Sequence, residues 1–170
     1  FDVIGAEYIR DVKPGEVIRI DLEGITSERY ATTCDQSMCS MEYVYFARPD
    51  SDVEGINVHQ ARKNCGRILA QEAPIEADIV VGVPDSGLSA AIGYAEEANI
   101  PFEIGMVKNK YIGRTFIQPS QALREQGVKM KLSAVRSIVK DKRVVLIDDS
   151  IVRGTTSRRM VDMLREAGAK

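Results

Sequence analysis

The sequence of 170 residues is poor in cysteine, carries one histidine and lacks any long apolar run. Each scarcity removes a class of protein. Its longest aliphatic stretches, as in Ile79 to Val83 and Val144 to Ile147, reach only about five residues, whereas roughly 20 are needed to cross a bilayer. No membrane span and no membrane partner are expected. Three cysteines at uneven spacing, Cys34, Cys39 and Cys65, make a poor disulfide framework, and neither a CxxC nor a histidine-containing metal spacing occurs. A reducing, cytoplasmic setting is therefore expected. No tract of biased composition is present, and 28% charged residues with 13 Gly and 6 Pro fit neither a collagenous chain nor one that stays unfolded. No basic stretch leads into an apolar one at the start, which is Phe1, so an internal piece of a longer protein is expected. No Cys/His or Ser/His arrangement offers itself as a nucleophile.

What is present is enough apolar residue, 44%, to furnish a core for one domain, or for one domain and part of a neighbour. The formal charge of −2 conceals an asymmetry. Between Gly105 and Arg143 ten Lys/Arg face two acids, Glu125 and Asp141, so this window carries +8 and the remainder −10. A basic segment in an acidic protein suits a compact anionic ligand, whereas a nucleic-acid binder is basic overall, so no nucleic-acid partner is expected. The plainer alternative is a solvated charged loop.

Along the chain, Tyr8 to Arg29 has hairpin character: Lys13-Pro14-Gly15 and Glu23-Gly24 are turn signals around strand-like Val17, Ile18 and Ile20. The small, polar stretch from Ala31 to Ser40 suits a linker, with a domain boundary near Thr33, dividing residues 1–33 from 34–170. Glu42 to Ala47, rich in Tyr, Val and Phe, has the composition of a strand that Pro49 ends. Val58, Ala61, Cys65, Ile68 and Leu69 then recur at helical spacing, which puts Cys65 in the core and Arg62, Lys63 and Arg67 off the apolar stripe. His59, at the start of this helix with no nucleophile beside it, is expected to be structural or exposed. The remainder alternates: strand Ile79 to Val83, helix Ser89 to Ala98, strand Phe102 to Val107, a long segment, strand Arg143 to Ile147 and helix Arg158 to Ala167, with Gly168 as a stop. Continuous apolar strands separated by helices predict an α/β fold, a parallel sheet with helices on both faces. Ligands of such sheets bind beyond the carboxyl ends of the strands. Three segments meet there: Pro84 to Gly87, Lys108 to Thr115 and Asp148 to Ser157.

The sharpest signal is VVLIDDSIVRGTTS, Val144 to Ser157. An apolar strand delivers two carboxylates and then a turn of small hydroxyl residues that opens a helix, whose backbone N–H groups can cradle a phosphate. Gly154 would let the backbone approach closely. No Gly-Lys-Ser/Thr follows and no GxGxxG occurs, so this is neither a Walker A loop nor a dinucleotide fingerprint. Two carboxylates beside a phosphate repel it unless they accept hydroxyl donors or share a divalent cation, and a phosphorylated sugar with a vicinal diol meets both conditions. The bland alternative is a helix capped by Thr156 or Ser157 with Asp148 and Asp149 as solvated turn residues.

That stretch resembles the phosphoribosyl pyrophosphate (PRPP) motif of type I phosphoribosyltransferases, and DDSIVRGTTS resembles the wording of the amidophosphoribosyltransferase (glutamine PRPP amidotransferase) family. EYVYFARPDS, VPDSG, VKNKYIGRTFIQP and VKMKLSAVR also resemble that family in order and spacing, and SAAIGYAEEANIP and QPSQALREQGVKMK its Bacillus-like branch. The first thirty or so residues resemble the last antiparallel strands of the family's N-terminal glutaminase domain of the Ntn type.

The resemblance implies that Asp148 and Asp149 serve the ribose hydroxyls and Mg²⁺, and that Ser150, Gly154, Thr155, Thr156 and Ser157 help bind PRPP, the last four at its 5-phosphate. It gives Ser86 to the pyrophosphate loop and to a metal-linked position, and Lys108, Lys110, Tyr111 and Arg114 to a loop that closes over PRPP, with Lys108, Tyr111 and Arg114 in the catalytic set. Cys39 matches a position that holds a [4Fe–4S] cluster in the Bacillus-like branch, with three partner cysteines beyond Lys170; by chemistry alone it would be buried or inert. Cys34 and Cys65 match no ligand position. The implied reaction joins ammonia from glutamine to C1 of PRPP, releasing pyrophosphate and forming 5-phosphoribosylamine for purine synthesis. Implied partners are PRPP, glutamine-derived ammonia, purine nucleotides as feedback inhibitors, and further copies of the chain in a homo-oligomer. The alternative on the same fold is a PRPP-binding regulatory protein without catalysis, and a salvage enzyme acting on a nucleobase is a third reading, disfavoured by the glutaminase-like start.

Overall fold

The computed structural model describes residues 4–31, 34–109 and 132–170. They divide into two compact units, Phe1–Cys39 and Ser40–Lys170. The expected boundary residue Thr33 lies outside the described residues.

In the first unit β1 (Glu16–Asp21) pairs antiparallel with β2 (Gly24–Arg29) from Glu16↔Arg29 to Asp21↔Gly24, the hairpin that the turn signals predict. Asp21 Oδ1 accepts the Glu23 N–H at 2.9 Å, closing the turn locally. Glu16 anchors the hairpin base. Its carboxylate takes both ends of the Arg10 guanidinium, the Lys13 N–H and the Ser27 hydroxyl. Those donors, Arg10 foremost, hold its pKa well below the usual carboxylate range.

In the second unit a parallel sheet has the order β6 (Phe102–Glu103), β5 (Ile79–Gly82), β9 (Val144–Ile147). Every residue of β5 is buried, as a central strand covered on both faces requires. Alternation splits its side chains between two cores. Val80 joins Val145 and Ile147 against Ala70 of α1 (Val58–Glu72) and Ala91, Tyr94 and Ala95 of α2 (Leu88–Ala98). Ile79 and Val81 pack with Met106, Val139 of α3 (Arg136–Val139), and Met160 and Leu164 of α4 (Thr155–Glu166). The parallel sheet covered on both faces is thus the one expected from the sequence.

Four expectations change. Glu42–Phe46 is a single turn of π-helix, not a strand. Among the described residues it pairs with no strand; instead the buried Arg62 guanidinium donates to Tyr43 O at 2.6 Å and Ala47 O at 2.9 Å, and Tyr43 Oη donates to Val53 O. Arg62 is accordingly inside α1's packed face, which runs Val58, Arg62, Gly66, Ala70, while Cys65 is exposed. The stretch Phe102 to Val107 is two strands, β6 and β7 (Met106–Lys108), the second paired antiparallel with β8 (Leu132–Ala134). At the break Gly105 lies where a Cβ would come within 2.6 Å of the Val81 side chain. Two-residue β3 (Asp52–Val53) and β4 (Ile56–Asn57) lead into α1, where Asn57 accepts the Gln60 N–H as a cap. His59 is structural, its Nδ1 2.9 Å from the Ser89 hydroxyl. Among the described residues no helix is long and apolar enough to cross a membrane.

The helices α1 and α2 cross at two glycines. A Cβ on Gly66 would stand 1.9 Å from Ala90 O, and one on Gly93 1.9 Å from Lys63 O. Alanine is the better helix former by about 1 kcal/mol, but here its methyl meets backbone that cannot step aside, and overpacking costs about 1–3 kcal/mol. Gly93→Ala is therefore expected to destabilise the protein. Equilibrium denaturation checks this, and an unchanged or raised midpoint would contradict the contact.

Candidate functional site

Parallel pairing of β5 with β9 carries the loops that follow them to the same edge of the sheet. Val83 N–H donates to Ile147 O at 2.8 Å, so the chain leaving β5 remains tied to the end of β9. The loop then folds back, with Gly87 N–H donating to Val83 O at 2.9 Å. Gly87 has no room for a side chain: a Cβ would come within 2.6 Å of Ile147 O. Within this loop the Pro84–Asp85 peptide is cis and Ser86 is half-buried. From the third segment Lys108, at the end of β7, reaches the same loop, its Nζ 2.9 Å from Asp85 Oδ2.

Beyond β9 the two carboxylates differ in surroundings. Asp148 is half-buried and its Oδ1 accepts the Asp149 N–H at 2.9 Å, while Asp149 Oδ1 accepts the Ser150 hydroxyl at 2.6 Å. Burial pushes the Asp148 pKa up, the charge of Asp149 adds to this, and the Asp149 N–H opposes both. Gly154 is left-handed at φ +71° and nothing lies within 4 Å of where a Cβ would be. Gly154 provides no side-chain cap for α4, and Thr155 and Thr156 are exposed with Ser157 half-buried. The first-turn N–H groups, which every helix leaves without intrahelical partners, thus open beside hydroxyls rather than under packed side chains.

Of the residues singled out by sequence, Ser86, Lys108, Asp148, Asp149, Ser150 and Gly154 lie on loops or strand ends at this edge, and Thr155, Thr156 and Ser157 form the first turn of α4. Lys110, Tyr111 and Arg114 lie outside the described residues. Asp85 was absent from the candidates, for nothing in its sequence context tells it from a solvated turn residue. A cavity of about 570 Å³ lies at the opposite end of the strands, lined in part by Ala77, Ile100 and Arg143, and contains none of the candidates.

Among the described residues no three His, Cys, Asp or Glu gather as a metal cage. The Asp148 and Asp149 carboxylates and the Ser86 hydroxyl are oxygen donors of the kind Mg²⁺ accepts, and so few of them suit an ion that shares its shell with a ligand's phosphates. A [4Fe–4S] cluster takes four thiolates. Cys39 is exposed and free, and the described residues do not form such a set around it.

Because the fold carries Asp148 in an environment that disfavours its charge, the site is held at some cost in stability. The sign is set by a folded pKa above the unfolded one: the favourable contribution is complete below the ordinary carboxylate range and disappears as pH rises through the folded value. Asp148→Asn is expected to raise the melting temperature at neutral pH, with the gain vanishing in acid. Thermal denaturation at both pH values checks it, and a gain that persists in acid would assign it to another cause.

The chain is 68% identical over 169 residues to the amidophosphoribosyltransferase of Bacillus subtilis (strain 168), covering 99% of this chain and 36% of that protein. It is 57% identical over 168 residues to the amidophosphoribosyltransferase of Staphylococcus aureus (strain MRSA252), covering 99% of this chain and 34% of that protein. It thus spans about a third of the length of these relatives. The solved structure of the glutamine PRPP amidotransferase from B. subtilis complexed with ADP and GMP superposes with a TM-score of 0.88 at 68% identity, over 100% of this chain and 37% of that one. The phosphoribosyl transferase domain family matches residues 56–170, which take in the whole parallel sheet and all three converging segments. This chain belongs to the phosphoribosyl transferase domain family.

Proposed function

We propose that the chain is the PRPP-binding part of an amidophosphoribosyltransferase, preceded at residues 1–33 by the end of a glutaminase domain. In this reading ammonia released from glutamine attacks C1 of PRPP, giving 5-phosphoribosylamine and pyrophosphate as the first step of purine synthesis in the cytoplasm. The observation that carries it is the edge where Val83–Gly87 and Asp148–Ser157 converge, a carboxylate pair followed by an open helix start, in a chain 68% identical to a named enzyme of that activity.

The chemistry asks the protein for placement and charge rather than for a covalent intermediate. Asp148 and Asp149 would accept hydrogen bonds from the ribose hydroxyls. The N–H groups and hydroxyls of Thr155, Thr156 and Ser157 would hold the 5-phosphate, with Ser150 beside them and Gly154 letting the backbone come close. Ser86 and its loop would carry the diphosphate, and Lys108 the charge that grows on it as C1 loses its bond. Mg²⁺, when bound, spreads the diphosphate charge and eases departure of pyrophosphate; Ser86, Asp148 and Asp149 would hold it. Tyr111 and Arg114 enter the catalytic set on resemblance alone. For the complete enzyme, purine nucleotides are proposed as inhibitors, a homo-oligomer as the assembly, and Cys39 as one thiolate of a cluster completed from outside this chain.

Removing one charge from the carboxylate pair tests the reading in the full-length enzyme. A hydrogen bond to a charged group is worth about 1.5–3 kcal/mol, or about ten- to a hundredfold in affinity. Asp149→Asn is expected to raise the KM for PRPP by about that factor and to weaken the Mg²⁺ dependence, while glutamine hydrolysis without PRPP persists. Steady-state kinetics at varied PRPP and Mg²⁺ measure both, and unchanged PRPP kinetics would remove the site.

A further inference from the structure

Resting on the reading just given, we infer that Asp85 is a positioning residue that holds the Lys108 ammonium at the mouth of the site and competes with the diphosphate for it. The Nζ to Oδ2 distance of 2.9 Å joins two of the three converging segments, the end of β7 and the loop after β5. The backbone that carries Asp85 is tied on both sides, by Val83 N–H on Ile147 O and Gly87 N–H on Val83 O, so its side chain starts from a fixed place on the rim. Neither head group has a second partner among the described residues.

Charge decides what this pair does. The loops after β5 and β9 bring Asp85, Asp148 and Asp149 to one edge, and among the described residues Lys108 is the cation that meets one of them. Asp148 and Asp149 have uses for their charge in a sugar diol and a divalent cation. Among the described residues Asp85 meets only Lys108. An incoming diphosphate carries the same sign as Asp85 and outbids it in charge, so the ammonium exchanges a carboxylate oxygen for a phosphate oxygen. The exchange is easy because the pair is at the surface, with side chains 40% and 72% exposed for Lys108 and Asp85, and exposed pairs are weak. Before binding, the contact keeps a long flexible side chain aimed at the rim. After reaction it gives Lys108 a partner to return to, which speeds release of pyrophosphate.

The test uses the full-length enzyme with inorganic pyrophosphate as the probe, titrated calorimetrically in Mg²⁺ buffer. Asp85→Asn and Asp85→Ser should each bind pyrophosphate about two- to fivefold more tightly than the unaltered enzyme, the range set by exposed ion pairs. The KM for PRPP should fall in step, and added salt should shrink the gap. In a Lys108→Gln background the Asp85 substitutions should tighten binding distinctly less, since only the like-charge repulsion at the rim is then relieved. Unchanged or weaker binding in both Asp85 variants overturns the inference, as does equal tightening without Lys108. If the unaltered enzyme binds no pyrophosphate, the proposed function falls and the inference with it; normal binding that ignores Asp85 removes the inference alone.

Discussion

The structure depends on one backbone hydrogen bond at the point where strand becomes loop. Val83 N–H donates to Ile147 O at 2.8 Å and extends the β5 to β9 pairing one step past the end of β5. Parallel strands point their ends the same way, so this bond forces the loop bearing Ser86 and the loop bearing Asp148 to start side by side. Gly87 then folds onto the same carbonyl, in a space that admits no Cβ. The site is a consequence of register. A slip of one residue would turn Val80 toward the core that holds Ile79 and Val81, and would part the two loops.

Around that register the layers are held by different means. On one face α1 and α2 approach through Gly66 and Gly93, and ion pairs from Lys63 and Arg67 to Glu96 close the outside of the crossing. Arg62, buried within this face, satisfies two carbonyls of the π-helical turn that precedes the sheet. A buried guanidinium is tolerable only with its donors used, and main-chain acceptors use them without introducing a second charge. On the other face the packing is mostly aliphatic, with Met106, Met160 and Leu164 filling the space over Ile79 and Val81. Near the N-terminal ends of the strands Asp78 accepts both the N–H and the side chain of Arg143, binding β5 to β9 at the end remote from the site.

The site itself concentrates what the rest of the fold avoids. Asp148 sits half-buried beside another carboxylate, and its pKa rises for that reason. The start of α4 opens without a Gly154 side-chain cap, and Lys108 is paired with a carboxylate rather than left to solvent. Each of these is an unmet or partly met electrostatic demand, and a phosphorylated sugar with a diphosphate would meet them together. Local discontent of this kind on a well-packed sheet is where sequence rules and stability are expected to part from function.

Much of this was legible without coordinates. Short apolar runs separated by helical patterns specify a doubly covered parallel sheet, because only burial on both faces makes a strand such as Ile79–Gly82 apolar throughout. The carboxylate pair and hydroxyl turn stand out in the sequence because they are residue types in one continuous segment at a strand end, and the structure places them at the sheet edge and the start of α4. Contacts between segments were not legible. Glu42–Phe46 has strand composition, yet Arg62, far along the chain, rewards a helical turn instead. Cys65 follows a helical apolar spacing, yet the buried side of α1 is selected by where Gly66 lets α2 approach. The pairing of Asp85 with Lys108 joins residues 23 apart that no local pattern connects. Sequence by itself determined the buried apolar strands, the long helices between them, the doubly covered parallel sheet and the residue types of the carboxylate and hydroxyl turn, since these follow from propensity and periodicity in one stretch of chain. Tertiary structure alone decided which faces are buried, which cation meets which carboxylate and how the loops share an edge, because those choices belong to contacts between distant residues.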